Sequence, residues 1–189
     1  MMVLSSELRA KAEEIKARYP DPRSAMMPLL YLVQSVEGHV SREGLREVAE
    51  ILELTTADVE AVATFYTMIR KQPTGKWLVS VCTNLSCALL GGRRLYERAA
   101  ELLGAGAEHG ATEDGSFSLH EEECLGACEA APVVQVNFLN YDRMTEDRLG
   151  GLIEACRRGE PPPASRGGSP PPFTATSRVL AGLGESADG

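Results

Sequence analysis

Two pairs of closely spaced cysteines constrain this chain more than any other feature of its sequence. Cys82 and Cys87 have the spacing C-x4-C, and Cys124 and Cys128 have the spacing C-x3-C. A short strand-like run of residues precedes each pair. If the two strands are parallel neighbours joined by a right-handed crossover helix, their carboxyl ends lie at the same edge of the sheet. The four thiols would then converge on one point, where they could hold a metal centre.

The composition is that of an ordinary globular protein. Its 189 residues suffice for one domain, or for a small domain with an appendage, and 43% of them are apolar. The net charge of -8 provides no basic surface for phosphates, which argues against a nucleic-acid partner. No apolar stretch approaches the roughly 18 residues that cross a bilayer, and no signal-peptide pattern is visible. We expect a cytoplasmic protein without direct membrane insertion, whose cysteines are ligands or core residues rather than disulfides.

Residues 1–70 are predicted to form a small helical bundle. Four segments between residues 4 and 69 carry apolar residues at helical spacing. Gly38 is expected to close the second helix and Ser41 to cap the third, because both residue types favour those positions. Thr55, with an aspartate three residues later, resembles a capping box for the fourth helix.

The fourth predicted helix carries an apolar stripe with neighbouring aromatic residues. We expect Phe65, Tyr66 and the methionines to be core residues, as is usual for an apolar stripe at helical spacing. The alternative is that they form a face that binds a partner.

Residues 76–159 are predicted to form a second domain, which follows a cluster of helix-breaking residues at 71–75. Its element order, β-α-β-β-β-α, is compatible with a thioredoxin-like α/β sandwich. The expected elements are a strand at 77–81, one long helix from Cys87 to about Leu103, strands near 117–119 and 133–136, a hairpin partner at 141–144, and a last helix capped by Thr145.

Residues 160–189 are predicted to form an extended tail. Proline triplets at 161–163 and 170–172 and the Gly167–Gly168 pair should not support a packed element. We expect a linker or an arm that wraps a partner, with at most a weak apolar anchor at 179–181.

Three chemistries remain open for the four thiols. A structural zinc ion accepts thiolate pairs at these spacings. A disulfide oxidoreductase would be expected to show a C-x-x-C motif, which neither pair has. A [2Fe-2S] cluster also uses four thiolates and accepts a C-x4-C element, and it needs backbone N–H groups near the sulfurs. Gly126, inside the second pair, allows the backbone to approach closely enough for that.

Two residues near these motifs are given ordinary roles. Cys156 falls on the apolar stripe of the last predicted helix, and we expect it in the core because free cysteine is among the most buried residue types. His120 lies four residues before Cys124. With four cysteines available, we expect it beside the centre or at the surface rather than as a ligand.

The sequence around both cysteine pairs resembles a known family, the 24-kDa-type subunits of NADH-quinone oxidoreductase. These subunits belong to the peripheral arm of respiratory complex I. The resemblance is carried by Cys82–Cys87 and by Cys124–Asn137 in the second half, and by residues 40–45 and 59–68 in the helical half. It covers roughly residues 24–158, with the motifs in the same order and spacing.

The resemblance implies a fold of mixed helix and sheet, α+β or α/β, in which a helical bundle precedes a thioredoxin-like [2Fe-2S] ferredoxin domain. It also implies the ligands of the one cluster: Cys82, Cys87, Cys124 and Cys128. The implied partners are the FMN- and NADH-binding subunit and other peripheral-arm subunits. The FMN would lie in that partner, and the chain would exchange single electrons with it.

The same resemblance implies a subunit without a substrate-turnover site of its own. We expect the complex on the cytoplasmic side of the inner membrane. The motifs also occur in diaphorase subunits of NAD-linked hydrogenases and formate dehydrogenases, which remain an alternative, as does a zinc-stapled interaction module.

Overall fold

The structure is a computed structural model in which residues 2–104 and 106–184 are described. The chain divides into two compact units: Thr74–Phe173 is one, and the described residues of Met1–Pro73 and Thr174–Gly189 form the other. Each unit has its own buried core. The predicted class, a helical bundle followed by a domain of mixed helix and sheet, is confirmed. None of the described helices is both long and apolar enough to span a membrane.

The first unit begins with four helices: α1 (Ser6–Lys16), α2 (Met26–Glu37), α3 (Arg42–Leu52) and α4 (Thr56–Phe65). Their ends follow the predicted signals. Gly38 ends α2 in the left-handed conformation, with a φ of 72°. The Ser41 side chain accepts a hydrogen bond at the start of α3, and Thr55 with Asp58 forms the complete capping box of α4.

The prediction that Phe65 and Tyr66 are core residues is wrong. Their side chains are 77% and 45% exposed. Helix α4 ends at Phe65, and Tyr66 already has an extended backbone. The helical phase that would have returned Tyr66 to the buried stripe is therefore lost. The two rings pack edge-to-face on each other, with 5.1 Å between their centroids.

The second unit contains a four-stranded sheet in the order β2-β1-β3-β4. Strands β1 and β2 are parallel, as predicted from the cysteine motifs, and the other two pairings are antiparallel. Its elements in chain order are β1 (Trp77–Cys82), α5 (Leu85–Leu89), α6 (Gly92–Leu103), β2 (Phe117–Glu122), β3 (Val134–Val136), β4 (Leu139–Tyr141) and α7 (Glu146–Arg158).

The single long helix predicted from Cys87 to about Leu103 is instead two helices. Helix α5 ends at Leu89, and α6 begins at Gly92. Gly91 separates them with a φ of 98°, a conformation that glycine adopts without steric cost. The break allows the short helix that carries Cys87 to take a direction of its own.

The predicted hairpin forms, but its second strand begins two residues earlier than expected. Val136 pairs with Leu139, so the loop consists of Asn137 and Phe138 alone. Both have positive φ, 46° and 72°, which matches the tight turns that join twisted antiparallel strands. Positive φ is strained for a bulky residue such as Phe138, so this turn needs support from its surroundings.

The expectation that residues 160–189 contain no packed element is wrong for the described part of that segment. A helix, α8 (Phe173–Leu180), forms there. In the first unit, Ser177 is fully buried and accepts a hydrogen bond of 3.2 Å from Nε2 of Gln34, and Ala181 joins the core. Residues 185–189 of the predicted tail lie outside the described residues.

The part of the segment that belongs to the second unit, residues 161–173, is called the strap below. The Tyr141 hydroxyl donates to the Pro162 carbonyl at 2.7 Å, and the Asn137 side chain donates to the Pro171 carbonyl at 2.8 Å. The strap ends with the Phe173 amide donating to the Lys76 carbonyl. Prolines have no N–H to satisfy, so an extended proline-rich segment can be held through its carbonyls alone. The sequence pattern identified the extended backbone but not these partners.

Candidate metal centre

The parallel pairing of β1 and β2 brings the two cysteine motifs to one edge of the sheet. Cys82 is the last residue of β1 and lies opposite Glu122, the last residue of β2. The pairing continues for one more step, because the Thr83 amide donates to the Glu122 carbonyl at 3.1 Å. Cys124 follows two residues later. The predicted convergence of the two motifs is therefore a direct consequence of strand register.

The two cysteine loops pack against each other. Cys82 and Cys87 are buried, and they form a small apolar cluster with Ala127 of the second loop and with Val133. Cys124 and Cys128 are exposed. The centre would thus have one face inside the protein and one face at the surface.

The four sulfurs contact one another as two pairs. Sγ of Cys124 lies 3.7 Å from Sγ of Cys128, and the thiol of Cys87 is hydrogen-bonded with that of Cys82. Two thiolates on one tetrahedral metal, at bonds of about 2.3 Å, would lie at about the separation of the first pair. A two-iron cluster takes two thiolates on each iron, so the chain's donor set fits it. No group of three or more metal-ligating side chains is placed around a single ion within residues 2–104 and 106–184.

The electrostatics of the thiols oppose reactivity in the metal-free protein. Burial, together with the hydrogen bond to Cys82, raises the pKa of Cys87 to about 11, although the Val133 amide opposes this rise. The neighbouring Cys124 raises the pKa of Cys128. An attacking thiol in a disulfide oxidoreductase needs a lowered pKa, because the thiolate is the nucleophile. A bound metal would displace these protons.

The second loop is held from both of its sides. Gly126 has a φ of 70°, and its amide donates to Sγ of Cys124 at 3.4 Å, which confirms the predicted approach of backbone to sulfur. The Asn140 side chain donates to the Leu125 carbonyl at 3.3 Å. Sγ of Cys82 is 3.7 Å from the Glu123 carbonyl, which joins the first motif to the start of this loop.

The other candidates take the ordinary roles that were predicted for them. Cys156 is 1% exposed in the core of the second unit, and burial raises its pKa to about 12. His120 is hydrogen-bonded through Nδ1 to Glu122 at 2.9 Å.

Gly92 belongs to the site, and the sequence analysis did not identify it. A Cβ at Gly92 would lie 2.5 Å from the Cys82 carbonyl oxygen and 2.9 Å from that of Cys87. These are backbone atoms and cannot move aside as a flexible side chain would. Only glycine lets the first turn of α6 approach the loop that holds the first cysteine pair. A Gly-Gly step beside a cysteine was the available signal.

We expect Gly92→Ala to displace the first cysteine loop. Its extra methyl group should lower the free energy of unfolding by about 1–3 kcal/mol, as for other overpacked sites, and should reduce the iron content of purified protein. The matched control is Gly151→Ala in α7, where no described atom lies within 4 Å of the new Cβ. This control should retain all iron and gain up to ~1 kcal/mol, because alanine favours a helix. Equal iron content in both variants would contradict a role for Gly92.

Comparison with known proteins defines the class of this fold and site. The model of the thioredoxin-like [2Fe-2S] ferredoxin family matches residues 12–157, and the chain belongs to that family. The match spans both cysteine motifs and most of the helical half.

The relatives are more particular than the class, and they confirm the resemblance to a subunit of NADH-quinone oxidoreductase. The Mycobacterium tuberculosis subunit of that enzyme is 46% identical over 94% of this chain and 70% of its own length. The Rhizobium meliloti subunit is 40% identical over 81% of this chain and 90% of its own length. Subunit 2 of the Thermus thermophilus NADH-quinone oxidoreductase is 42% identical over 78% and 83% of the two chains.

A solved structure shares the fold at low sequence identity. An NAD+-reducing [NiFe]-hydrogenase in the H2-reduced state superposes with a TM-score of 0.61 and 19% identity, over 72% of this chain. This chain spans 22% of that protein's length.

Proposed function

We propose that this chain is the electron-transfer subunit of the 24-kDa type in an NADH-quinone oxidoreductase, and that Cys82, Cys87, Cys124 and Cys128 hold its [2Fe-2S] cluster. The observation that carries the proposal is the meeting of two thiol pairs at one sheet edge, in a member of this ferredoxin family. When bound, the cluster would supply reversible storage of one electron.

The protein's own residues would set the conditions for that electron. Cys82 and Cys87 present thiols on the buried side, where water is excluded. Cys124 and Cys128 present theirs at the surface, where a redox partner can approach. The Gly126 amide would donate to a ligand sulfur, and hydrogen bonds of this kind adjust the reduction potential.

The two other chemistries find less support. The raised pKa of Cys87 and of Cys128 disfavours a thiol redox enzyme. A zinc-stapled module would use the same four thiols, but family membership favours iron and sulfide. The hydrogenase neighbour supports a diaphorase subunit as the second candidate, since it shares the fold.

The proposed partner is the FMN- and NADH-binding subunit, with other peripheral-arm subunits around it, in a complex on the cytoplasmic side of the membrane. The names of the relatives support a multi-subunit oxidoreductase. The surface beside the first cysteine pair supports a covered face, because Leu85, Leu89 and Leu90 are 71%, 78% and 61% exposed.

Metal analysis and EPR of anaerobically purified chain test the centre. We expect iron and acid-labile sulfide in equal amounts, no EPR signal from the oxidised protein, and the signal of one [2Fe-2S] cluster after reduction with dithionite. NADH should produce that signal only after the flavin-bearing partner is added. A colourless protein with one zinc per chain would overturn the cluster, while a cluster that NADH never reduces with the flavoprotein present would overturn the partner.

A further inference from the structure

The strap places a charged side chain next to the second cysteine loop. The Arg166 guanidinium forms a hydrogen-bonded ion pair with the carboxylate of Glu129, which directly follows Cys128. Nε of Arg166 also lies 3.9 Å from Oδ2 of Asp142, beyond the end of β4. One cation of the strap therefore lies between two carboxylates beside the exposed pair of cysteines.

The position of Arg166 is fixed by the backbone on its N-terminal side. The Ser165 amide donates to the Asn140 carbonyl at 2.8 Å, and the Ser165 hydroxyl accepts from the Asp142 amide at 2.7 Å. Asn140 is also the residue whose side chain holds the Leu125 carbonyl in the second cysteine loop. The strap and the cysteine loop are thus attached to the same strand.

The charges at this point require Arg166. The Asp142 side chain is only 15% exposed, and its Oδ1 is buried without a hydrogen-bond partner among the described residues. The hydrogen bond from Arg166 lowers the pKa of Glu129, and Arg143 adds to this effect. Without the guanidinium, two ionised carboxylates would face each other beside the cysteines, one of them with an unsatisfied buried oxygen.

We propose that Arg166 is a positioning residue of the metal centre: the strap carries its charge to Glu129, fixes the loop of Cys124 and Cys128, and raises the reduction potential of the cluster. This inference rests on the proposed function for the cluster itself. The physical basis is that reduction adds one negative charge to the centre, and a nearby fixed cation makes that addition more favourable. The pair is exposed, so the effect should be largest at low ionic strength.

The test is a potentiometric titration of the full-length protein, with dithionite as reductant and EPR as readout. Arg166→Gln should lower the potential, Glu129→Gln should raise it, and the double variant should lie near the wild type. Arg166→Lys keeps the charge and should restore most of the potential. The matched control is Arg98→Gln, which breaks a similar exposed pair on α6, with Glu101 at 2.8 Å, and should leave the potential unchanged.

The opposite signs separate electrostatics from simple loosening of the loop. Arg166→Gln and Glu129→Gln break the same hydrogen bond, so both should release iron to a chelator severalfold faster than wild type. A purely structural role would shift both potentials in the same direction, and that result would overturn the charge effect. Potentials equal to wild type in both variants would overturn the proposal while leaving the cluster in place. A wild-type protein without a cluster would overturn the proposed function and this inference with it.

Discussion

Serine in place of Cys82, Cys87, Cys124 or Cys128 is expected to remove the cluster or to change its spectrum markedly. Serine presents a harder and less acidic oxygen than a thiolate, so it is a poor iron ligand at neutral pH. Iron and sulfide content, together with the EPR spectrum after reduction, measure the loss. The two buried positions should show the larger loss, because their thiols meet the centre on the side from which water is excluded.

Cys156→Ser is the matched control, since it makes the same substitution in the same unit away from the centre. The residue is buried in α7, so the variant should keep a full cluster. Its free energy of unfolding should fall by about 1–3 kcal/mol, the cost of a buried hydroxyl that finds no partner. Loss of iron from this variant, with full iron in one of the other four, would overturn the ligand assignment.

Phe173→Ala is expected to produce the largest loss of stability, about 3–5 kcal/mol, as for other buried phenylalanines. Phe173 is 1% exposed, and its ring packs against that of Phe138, with 5.8 Å between centroids. Phe138 lies in the two-residue turn with positive φ, so the contact also supports a strained backbone. Losing it should loosen both the hairpin and the strap.

Urea unfolding, followed by the fluorescence of Trp77 and by far-ultraviolet circular dichroism, measures this change. The same substitution at an exposed position, Phe65→Ala, is the control and should change stability by no more than about 0.5 kcal/mol. If the strap were a loose arm, the two variants would be equally stable. Iron content should also fall in Phe173→Ala, because the strap is attached to the strand that holds the second cysteine loop.

Local signals determined much of the helical half. The ends of α2, α3 and α4 follow from Gly38, Ser41 and the pair Thr55–Asp58, because each cap satisfies backbone groups within a few residues of itself. The exposure of Phe65 was not predictable in this way. It depends on where α4 stops, and no local breaker such as proline or glycine marks that point.

The cysteine spacings by themselves determined the location of the candidate site and the parallel pairing of the two strands beside it. Two motifs that each follow a strand can share a centre only if the carboxyl ends of the strands meet, so the chemistry dictated the topology. The sequence also distinguished Cys156 from the other thiols, because a helical apolar stripe reports burial.

Only the tertiary structure decided what surrounds the cysteines. The requirement for glycine at position 92 arises from carbonyl groups that belong to Cys82 and Cys87, and no pattern local to α6 contains them. The strap is a stronger case, since its composition indicates an extended backbone equally well in solvent and on a protein surface. Its carbonyls are bound by Asn137 and Tyr141, which lie about 20 to 35 residues earlier. Contacts between residues so far apart in sequence leave no periodic signal, because their geometry exists only after the sheet has formed.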